Sequence, residues 1–264
     1  MFEERSLSDR VGAVREAYTP DLQVYETAGD FETLPPAQAE DLGLLVDAFD
    51  PVSYPDDWVP PAGPEALRRY ASTTFTIGMP GDGSVVWTRQ TVPPVVLVTP
   101  RLEGSPAGFV DFLLAEAFVE CSLDVPEHFL GFFEDGYRDL DAAVDLGPAG
   151  TYQIAAALFD GWVGLHTREE FSTWDESHPE LSAEWCDAGR RLDGRVSGLS
   201  GAVARGETSF PDATELACSA IKHGLDLPKP FDALDTAAYR DHGAAFAVEW
   251  ADRTFDALSG AERS

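Results

Sequence analysis

Histidines are the residues of this sequence that could most directly bind a metal ion, and three of them continue the apolar stripes of predicted helices. His166 follows Trp162 by four residues, His242 follows Tyr239 by three, and His223 lies two turns along a third stripe. Neutral imidazoles bind zinc and similar ions well, and helical bundles build metal sites from inward-facing side chains. One hypothesis for this chain is therefore a metal-dependent enzyme in which His166, His223 and His242 hold a divalent metal.

The spacing of these histidines does not by itself single out a metal site. The sequence has no H-x-x-x-H or E-x-x-H, the patterns that place two ligands on one helix face. A single histidine on an apolar stripe is more often a hydrogen-bonded core residue than a ligand. No motif in the chain identifies a cofactor, so the core interpretation ranks first and the metal second.

Four arginines give the stretch from Glu65 to Arg101 a charge opposite to that of the whole chain. Arg68, Arg69, Arg89 and Arg101 are opposed there only by two acidic residues. Guanidinium groups suit bidentate recognition of carboxylate or phosphate, so these arginines could bind a small anionic ligand or an acidic segment of a protein partner. The alternative, which ranks higher, is that they pair with the surplus carboxylates of the same chain.

The motifs of the common enzyme classes are missing. The sequence has no G-x-S-x-G elbow, zincin motif, kinase set or dinucleotide fingerprint. The glycine-rich loop 78–84 lacks the G-K-S/T ending of a phosphate-binding loop and predicts a hairpin turn. Asp111 is the one carboxylate that the pattern marks as partly buried, because it lies on an otherwise apolar predicted helix. Catalytic residues therefore stay unknown, and the sequence favours a protein that is not an enzyme.

The elements that must position these residues are mostly helical. From Ser105 onward the apolar spacing predicts helices throughout, whereas residues 73–99 change to period two and predict a three-stranded antiparallel meander. The fold class is therefore α+β, predominantly α-helical, with a helical body and one small three-stranded sheet. We expect a single domain over 1–264, made of N-terminal helices and the meander (1–104) and a helical body (105–264). A loop with five prolines, 50–64, is expected to cover the body.

The net charge of the chain indicates the solvent to which the protein is adapted and says little about any reaction. Forty-seven acidic residues face eighteen basic ones, which gives a formal net charge of −29. Such like charge destabilises a compact state at ordinary ionic strength, and salt at ~1 M screens it to a Debye length of ~3 Å. The composition therefore predicts a halophilic protein of a salt-rich cytoplasm. Nucleic acid is a disfavoured partner because phosphate contacts require basic surface. The arginines within 187–205 leave a chromatin protein as the weakest alternative.

A cytoplasmic location is also expected from the cysteines and the apolar segments. Cys121, Cys186 and Cys218 are few, odd in number and far apart, which is typical of reduced intracellular thiols. The most apolar stretch, 109–123, is interrupted by carboxylates and is too short to span a bilayer, so no membrane partner is expected.

Three strings of the sequence carry a resemblance that covers nearly the whole chain. They are GMPGDGSVVWTRQTVPPVVLV, VPEHFLGFFEDGYRDLDAAVDLGPAGTYQIAAALFDGW and TAAYRDHGAAFAVEWA. With the arginine-rich, acidic composition, the chain resembles uncharacterised haloarchaeal acidic proteins of unknown function. That resemblance supports the cytoplasmic, single-body interpretation and implies no activity, cofactor or site residue. The first function hypothesis is therefore a non-catalytic cytoplasmic binding or adaptor protein that contacts its partner through residues 65–101 and the loop 50–64.

Overall fold

A computed structural model describes residues 2–31, 33–72, 75–78 and 83–262. The chain divides into two compact units. The first unit comprises 1–55, 65–127 and 178–184, and the second comprises 56–64, 128–177 and 185–264. The strands are β1 (Phe2–Glu4), β2 (Gln23–Thr27), β3 (Ala48–Phe49), β4 (Val85–Thr88), β5 (Thr91–Val92) and β6 (Val95–Val98). The helices are α1 (Asp9–Tyr18), α2 (Pro36–Leu42), α3 (Glu65–Tyr70), α4 (Ala107–Ser122), α5 (Phe129–Phe133), α6 (Gly136–Ala143), α7 (Pro148–Ser172), α8 (Trp174–Ser177), α9 (Pro179–Val196), α10 (Leu199–Ala204), α11 (Phe210–Ile221) and α12 (Ala237–Glu262).

The first unit is built around a four-stranded mixed sheet in the order β1-β2-β6-β4. Strand β6 is central, parallel to β2 and antiparallel to β4, and all four of its side chains are buried. Val95 and Leu97 join a core cluster that includes Leu42 of α2 and Ile77. Because alternate residues of a strand face opposite sides, the other two side chains of β6 fill the opposite face. An unbroken apolar run of this kind is typical of a strand covered on both faces.

The prediction of one three-stranded meander over 73–99 is wrong in its topology. Strands β4 and β6 do pair antiparallel, but β5 pairs with β3 in a separate two-stranded sheet. Pro93 and Pro94, which lack backbone N–H groups, separate β5 from β6. Within the described part of 73–84, residues 75–78 form no strand, while 73, 74 and 79–82 lie outside the described residues. The helix-dominated α+β class is confirmed.

Helices α1 and α4 pack against each other, and α4 also packs on β4. Val11 and Val14 of α1 are fully buried, as the apolar spacing predicts. The indole Nε1 of Trp87 on β4 donates to the Glu120 carboxylate of α4 at 3.1 Å. These contacts hold the sheet between two apolar layers.

The second unit is helical and is organised around α7, the helix of 25 residues. Helix α11 packs closely along it, because two glycines of α7 face α11. A Cβ added at Gly161 would lie 3.0 Å from the sulfur of Cys218, and one at Gly164 would lie 3.2 Å from the backbone nitrogen of Lys222. A side chain at either position would press against α11 or the residue that follows it, so the two backbones approach closely at these glycines.

Two unusual backbone conformations occur in the second unit. Gly243 (φ 50°, ψ −124°) interrupts α12, and Glu134 (φ 52°, ψ −133°) separates α5 from α6. The ring of Phe132 lies against Gly243, and the indole Nε1 of Trp162 donates to the carbonyl of Arg240 at 3.1 Å just before the interruption. Glycine tolerates such a conformation, whereas Glu134 is strained by it because an L side chain disfavours positive φ.

Across the described ranges, none of the helices combines the length and the apolar character that crossing a membrane requires.

Candidate functional site

The three histidines predicted to hold a metal do not converge. His166 on α7 and His242 on α12 are exposed, and His223, just after α11, is half-buried. Among the residues that the structure describes, no group of three or more His, Cys, Asp or Glu side chains is placed to hold a metal ion. The metal hypothesis therefore stays a prediction with no assembled ligand set behind it.

Local packing explains the environments of two of these imidazoles. His166 lies edge-on to the Trp162 ring with 4.5 Å between centroids, and partial burial with the nearby Arg240 lowers its pKa. The ring of His223 lies 5.6 Å from that of Trp185, and burial lowers the pKa of His223 to about 4. Both imidazoles thus have a lowered pKa and pack against tryptophan rings.

The buried histidine is His128, which lies on none of the predicted apolar stripes. Its side chain is 1% exposed, and its Nδ1 accepts a hydrogen bond from the backbone N–H of Leu130 at 2.9 Å. His128 thus caps the N-terminus of α5, and burial lowers its pKa to about 3. Histidine is an uncommon N-cap, so no sequence pattern marked this residue.

Two of the four arginines predicted to bind an anion form exposed ion pairs. Arg69 lies 3.7 Å from Glu65 one turn earlier on α3, and the Nε of Arg101 donates to Asp30 at 2.6 Å. Arg68 is exposed on the same helix as Arg69. Exposed pairs of this kind contribute ~0–1 kcal/mol to stability. The ion-pair interpretation therefore describes Arg69 and Arg101, and the anion-binding role of the set stays a prediction.

Arg89 has a different environment from the other three. Its guanidinium donates to the carbonyl of Leu123 at 2.7 Å and to that of Val125, and it lies 5.3 Å from the centroid of the Trp87 ring. Two main-chain carbonyls and an indole face match the flat donor fork and the cation–π preference of arginine. Arg89 therefore holds the chain that follows α4 against β4.

Glu127 is the centre of a polar network in the first unit. Its carboxylate accepts hydrogen bonds from Thr88 Oγ1 at 2.8 Å, from the backbone N–H of Arg89 at 2.6 Å and from Gln90 Nε2 at 3.0 Å. Gln90 in turn accepts from the backbone N–H of Val52 at 3.1 Å. The network thus ties the segment that follows β3 to the turn between β4 and β5.

The nucleophiles near Glu127 are suppressed rather than activated. Burial raises the pKa of Tyr54 to about 12 and that of Cys121 to about 12. A thiol with a raised pKa is a poor nucleophile at neutral pH. Carboxylates are so frequent in this chain that Glu127 could not be singled out from the sequence. Its hydrogen bonds indicate a structural role.

Asp111 is partly buried, as expected, and its partners are structural. It accepts hydrogen bonds from Ser8 Oγ at 2.9 Å and from Arg10 Nε at 2.7 Å. Hydrogen bonds to Asp111 and to Glu180 raise the pKa of Arg10. Asp111 therefore anchors the start of α1 on α4.

A cavity of about 130 Å³ lies at the carboxyl ends of the parallel strands β2 and β6. Ligands of parallel sheets often bind at such a position. Three of the polar side chains of this cavity are already paired: Arg5 contacts Glu26, and the hydroxyl of Thr27 donates to the carbonyl of Gly29 at 2.9 Å. Its small volume and its internal pairing make it a poor site for a metabolite.

The most unusual surface of the first unit is apolar. Strands β3 and β5 form a ribbon in which Ala48 lies opposite Val92, and both of these residues are exposed. Leu44 is 84% exposed and Val92 is 50% exposed. We name as the apolar ribbon surface the large exposed apolar side chains of β5 and of the segments that flank β3, which are Leu44, Leu45, Val52 and Val92.

The apolar ribbon surface has a fixed structure. The Phe49 ring packs on Phe75 with 4.4 Å between centroids, and a Cβ added at Gly43 would lie 2.9 Å from it. The backbone N–H of Asp47 donates to the carbonyl of Val92 at 2.7 Å. Leu42, just before the exposed leucines, is fully buried in the core. The exposure of these apolar side chains is therefore held by defined contacts.

The polar residues along this surface are acidic. Glu40, Asp41, Asp47 and Asp50 are exposed beside or between its members. No lysine, arginine or histidine occurs between Arg15 and Arg68. This arrangement could have been found from the sequence, because consecutive leucines within a long acidic segment without a basic residue are visible there.

The chain belongs to a family of unknown function (DUF7089), whose model matches residues 1–258. No curated protein and no solved structure matches it.

Proposed function

We propose that this member of the DUF7089 family is a non-catalytic binding protein that contacts a protein partner through the apolar ribbon surface. The observation that carries the proposal is the group of large apolar side chains left exposed on β5 and on the segments that flank β3, next to a hydrogen-bonded ribbon. Large apolar patches on a soluble protein commonly mark interaction sites. The surface includes Val52 of the proline-rich loop and Val92 of the 65–101 stretch, the two regions in which the sequence analysis expected a partner to bind.

The energies of the available contacts favour the apolar side chains as the source of affinity. Fully burying a leucine such as Leu44 contributes about 1.5–3 kcal/mol, whereas an exposed ion pair contributes ~0–1 kcal/mol. The exposed pairs of Arg69 and Arg101 would also have to open before these arginines could bind an anion. We therefore place the contact at the ribbon and give the arginines no part in it.

The acidic composition supports a second part of the proposal, which concerns where the protein works. A net charge of −29 is tolerated where salt is concentrated enough to screen it. We propose that the protein works in the salt-rich cytoplasm of a halophilic archaeon. The measurement that tests this is the free energy of unfolding against KCl concentration. Stability should rise steeply up to ~1 M salt, and equal stability in dilute buffer would contradict it.

Photocrosslinking in the native cell tests the contact surface. Benzoylphenylalanine is placed at position 44 or 92, and a matched control is placed at Leu258, an exposed leucine of the second unit. We expect one discrete adduct from positions 44 and 92 and none from 258. The crosslinked protein, once identified by mass spectrometry and purified, should bind the unlabelled chain in molar KCl. Identical adduct patterns from all three positions would contradict the proposal, as would no adduct at all.

A further inference from the structure

We infer that the partner of the apolar ribbon surface is a protein segment that carries lysine or arginine next to its apolar side chains. The inference rests on the function proposed above and adds the chemistry of the partner. Its basis is the local charge: the exposed polar side chains that accompany the surface include Glu40, Asp41, Asp47 and Asp50. Since the chain has no basic residue from position 16 to position 67, the segments that form β3 and its flanks have no positive charge of their own.

Charge complementarity selects among the occupants that an apolar surface could have. A second copy of the chain would form a two-fold interface in which the same surface meets itself. Such an interface would bring Asp47 and Asp50 of one copy towards the same residues of the other, on chains that each carry a net charge of −29. Nucleic acid and anionic lipid surfaces are repelled for the same reason. A basic segment alone gains from both the apolar and the acidic side chains.

The acidic and the apolar side chains contribute differently to binding at high salt. Complementary charge mainly sets the choice of partner and the rate of association, and it weakens as salt screens it. Apolar contact persists in concentrated salt, and strongly hydrated salts strengthen it. In molar KCl we therefore expect apolar burial to supply most of the affinity, while the carboxylates still reject acidic segments at short range.

Two synthetic amphipathic peptides of equal length test this inference. The two peptides have leucine at the same positions. All of the remaining positions are lysine in one peptide and glutamate in the other. Fluorescence anisotropy measures their binding to the full chain at 0.5 M and 2 M KCl. These salt concentrations lie on either side of 1 M, where the Debye length is ~3 Å. Circular dichroism confirms that the protein is folded at both. We expect the lysine peptide to bind at least tenfold more tightly than the glutamate peptide at 0.5 M, with the ratio falling at 2 M.

Two charge variants separate local complementarity from the general attraction of an acidic protein. Asp41→Asn, Asp47→Asn and Asp50→Asn together remove three charges beside the surface. Asp226→Asn, Asp252→Asn and Asp256→Asn remove three exposed charges from the second unit and serve as the matched control. The first triple variant should lose at least threefold of the lysine-peptide affinity, and the control should lose almost none. Equal losses in both, or equal binding of the two peptides, would overturn the inference.

The apolar variant Leu44→Ser with Val92→Thr makes failure of the inference distinguishable from failure of the proposed function. We expect it to weaken both peptides at least tenfold. If it weakens both peptides equally and the charge variants have no effect, the surface binds partners without regard to charge, and only the inference fails. If it binds as the original chain does, the proposed function fails. A dimer in sedimentation analysis that this variant abolishes would show that a second copy is the occupant, which also overturns the inference.

Discussion

The two units of this protein treat their apolar side chains in opposite ways. The second unit leaves none of its described aromatic residues fully exposed: Phe171 and Trp174 are inaccessible, and others such as Trp162 are partly buried. Its large exposed apolar residues among those described are the separate Leu146 and Leu258. The first unit leaves exposed the large side chains of the apolar ribbon surface. Scattered exposed leucines are normal, whereas a fixed cluster calls for a reason. This difference makes the first unit the place to look for function.

The two units also differ in the structural role of a polar side chain that each contains. In the second unit, His128 caps one helix by a single hydrogen bond to Leu130. In the first unit, Glu127 gathers three donors and, through Gln90, reaches the segment of Val52. One group ends a helix, and the other supports a surface. Substitutions in each unit can sharpen this contrast or break it.

The largest effect is expected from Glu127→Ala. Removing the carboxylate leaves Thr88 Oγ1 and the backbone N–H of Arg89 without their acceptor. Gln90 Nε2 loses one of its two acceptors, since it also donates to the carbonyl of Thr76 at 3.1 Å. Each unsatisfied buried donor costs about 1–3 kcal/mol. We expect the free energy of unfolding to fall by about 3 kcal/mol in molar KCl, as measured by denaturant titration. Glu127→Gln, which keeps one acceptor oxygen, should lose about half as much. A loss under ~1 kcal/mol for the alanine variant would show that the network does not support the ribbon.

Acid should destabilise the protein partly through His128. Its folded pKa of about 3 lies below the unfolded value of ~6.5, so the unfolded state binds the proton first and stability falls as pH drops from 6.5 towards 3. Between pH 7.5 and 5 this residue should remove about 2 kcal/mol of stability. His128→Asn keeps a capping oxygen without the titration, so its stability should fall less over the same range. Equal pH dependence of the two proteins would contradict the buried, neutral imidazole.

Gly164→Ala should weaken the contact between α7 and α11. A methyl group there would meet the backbone of Lys222 at 3.2 Å, and overpacking costs about 1–3 kcal/mol. The matched control is Gly194→Ala on α9, where a Cβ meets nothing within 4 Å. The control should gain about 0.5–1 kcal/mol from helix propensity. If both changes stabilise the protein in thermal unfolding, the contact between α7 and α11 does not need the glycine.

The smallest effect is expected at the strained Glu134. Glycine adopts its backbone conformation without strain, so Glu134→Gly should raise the free energy of unfolding by about 1 kcal/mol. Asp135→Gly is the neighbouring control, because its φ of −64° is ordinary and glycine there only adds unfolded-state entropy. The control should be neutral or destabilised. Destabilisation of Glu134→Gly would mean that the side chain makes contacts worth more than the strain.

The helical part of the fold was largely predictable from local patterns. Apolar spacing from Ser105 onward predicted helices, and α4, α7 and α9 lie where the spacing indicated. The sheet was not predictable because β2 gains its stability from parallel pairing with β6, about seventy residues later, and local sequence carries no trace of that pairing. Strand β1 is only three residues long, too short for an alternation to show.

The candidate site was predictable in part. The expected contact region included the residues around Val52 and Val92, and these lie on the apolar ribbon surface. The inward orientation expected for His166 did not follow from its spacing, because α7 is apolar on several faces and one stripe does not define its buried side. Arg89 was expected at a binding surface, but its role depends on carbonyls of residues 123–125 that no pattern links to it.

The most direct test compares two pairs of exposed apolar residues for their effect on binding the crosslinked partner. Leu44→Ser with Val92→Thr alters the apolar ribbon surface, and Leu146→Ser with Leu258→Ser alters the exposed leucines of the second unit. In molar KCl the first pair should weaken binding at least tenfold with the free energy of unfolding unchanged, and the second pair should leave both unchanged. Equal binding by the two variants would contradict the assignment of function to the ribbon.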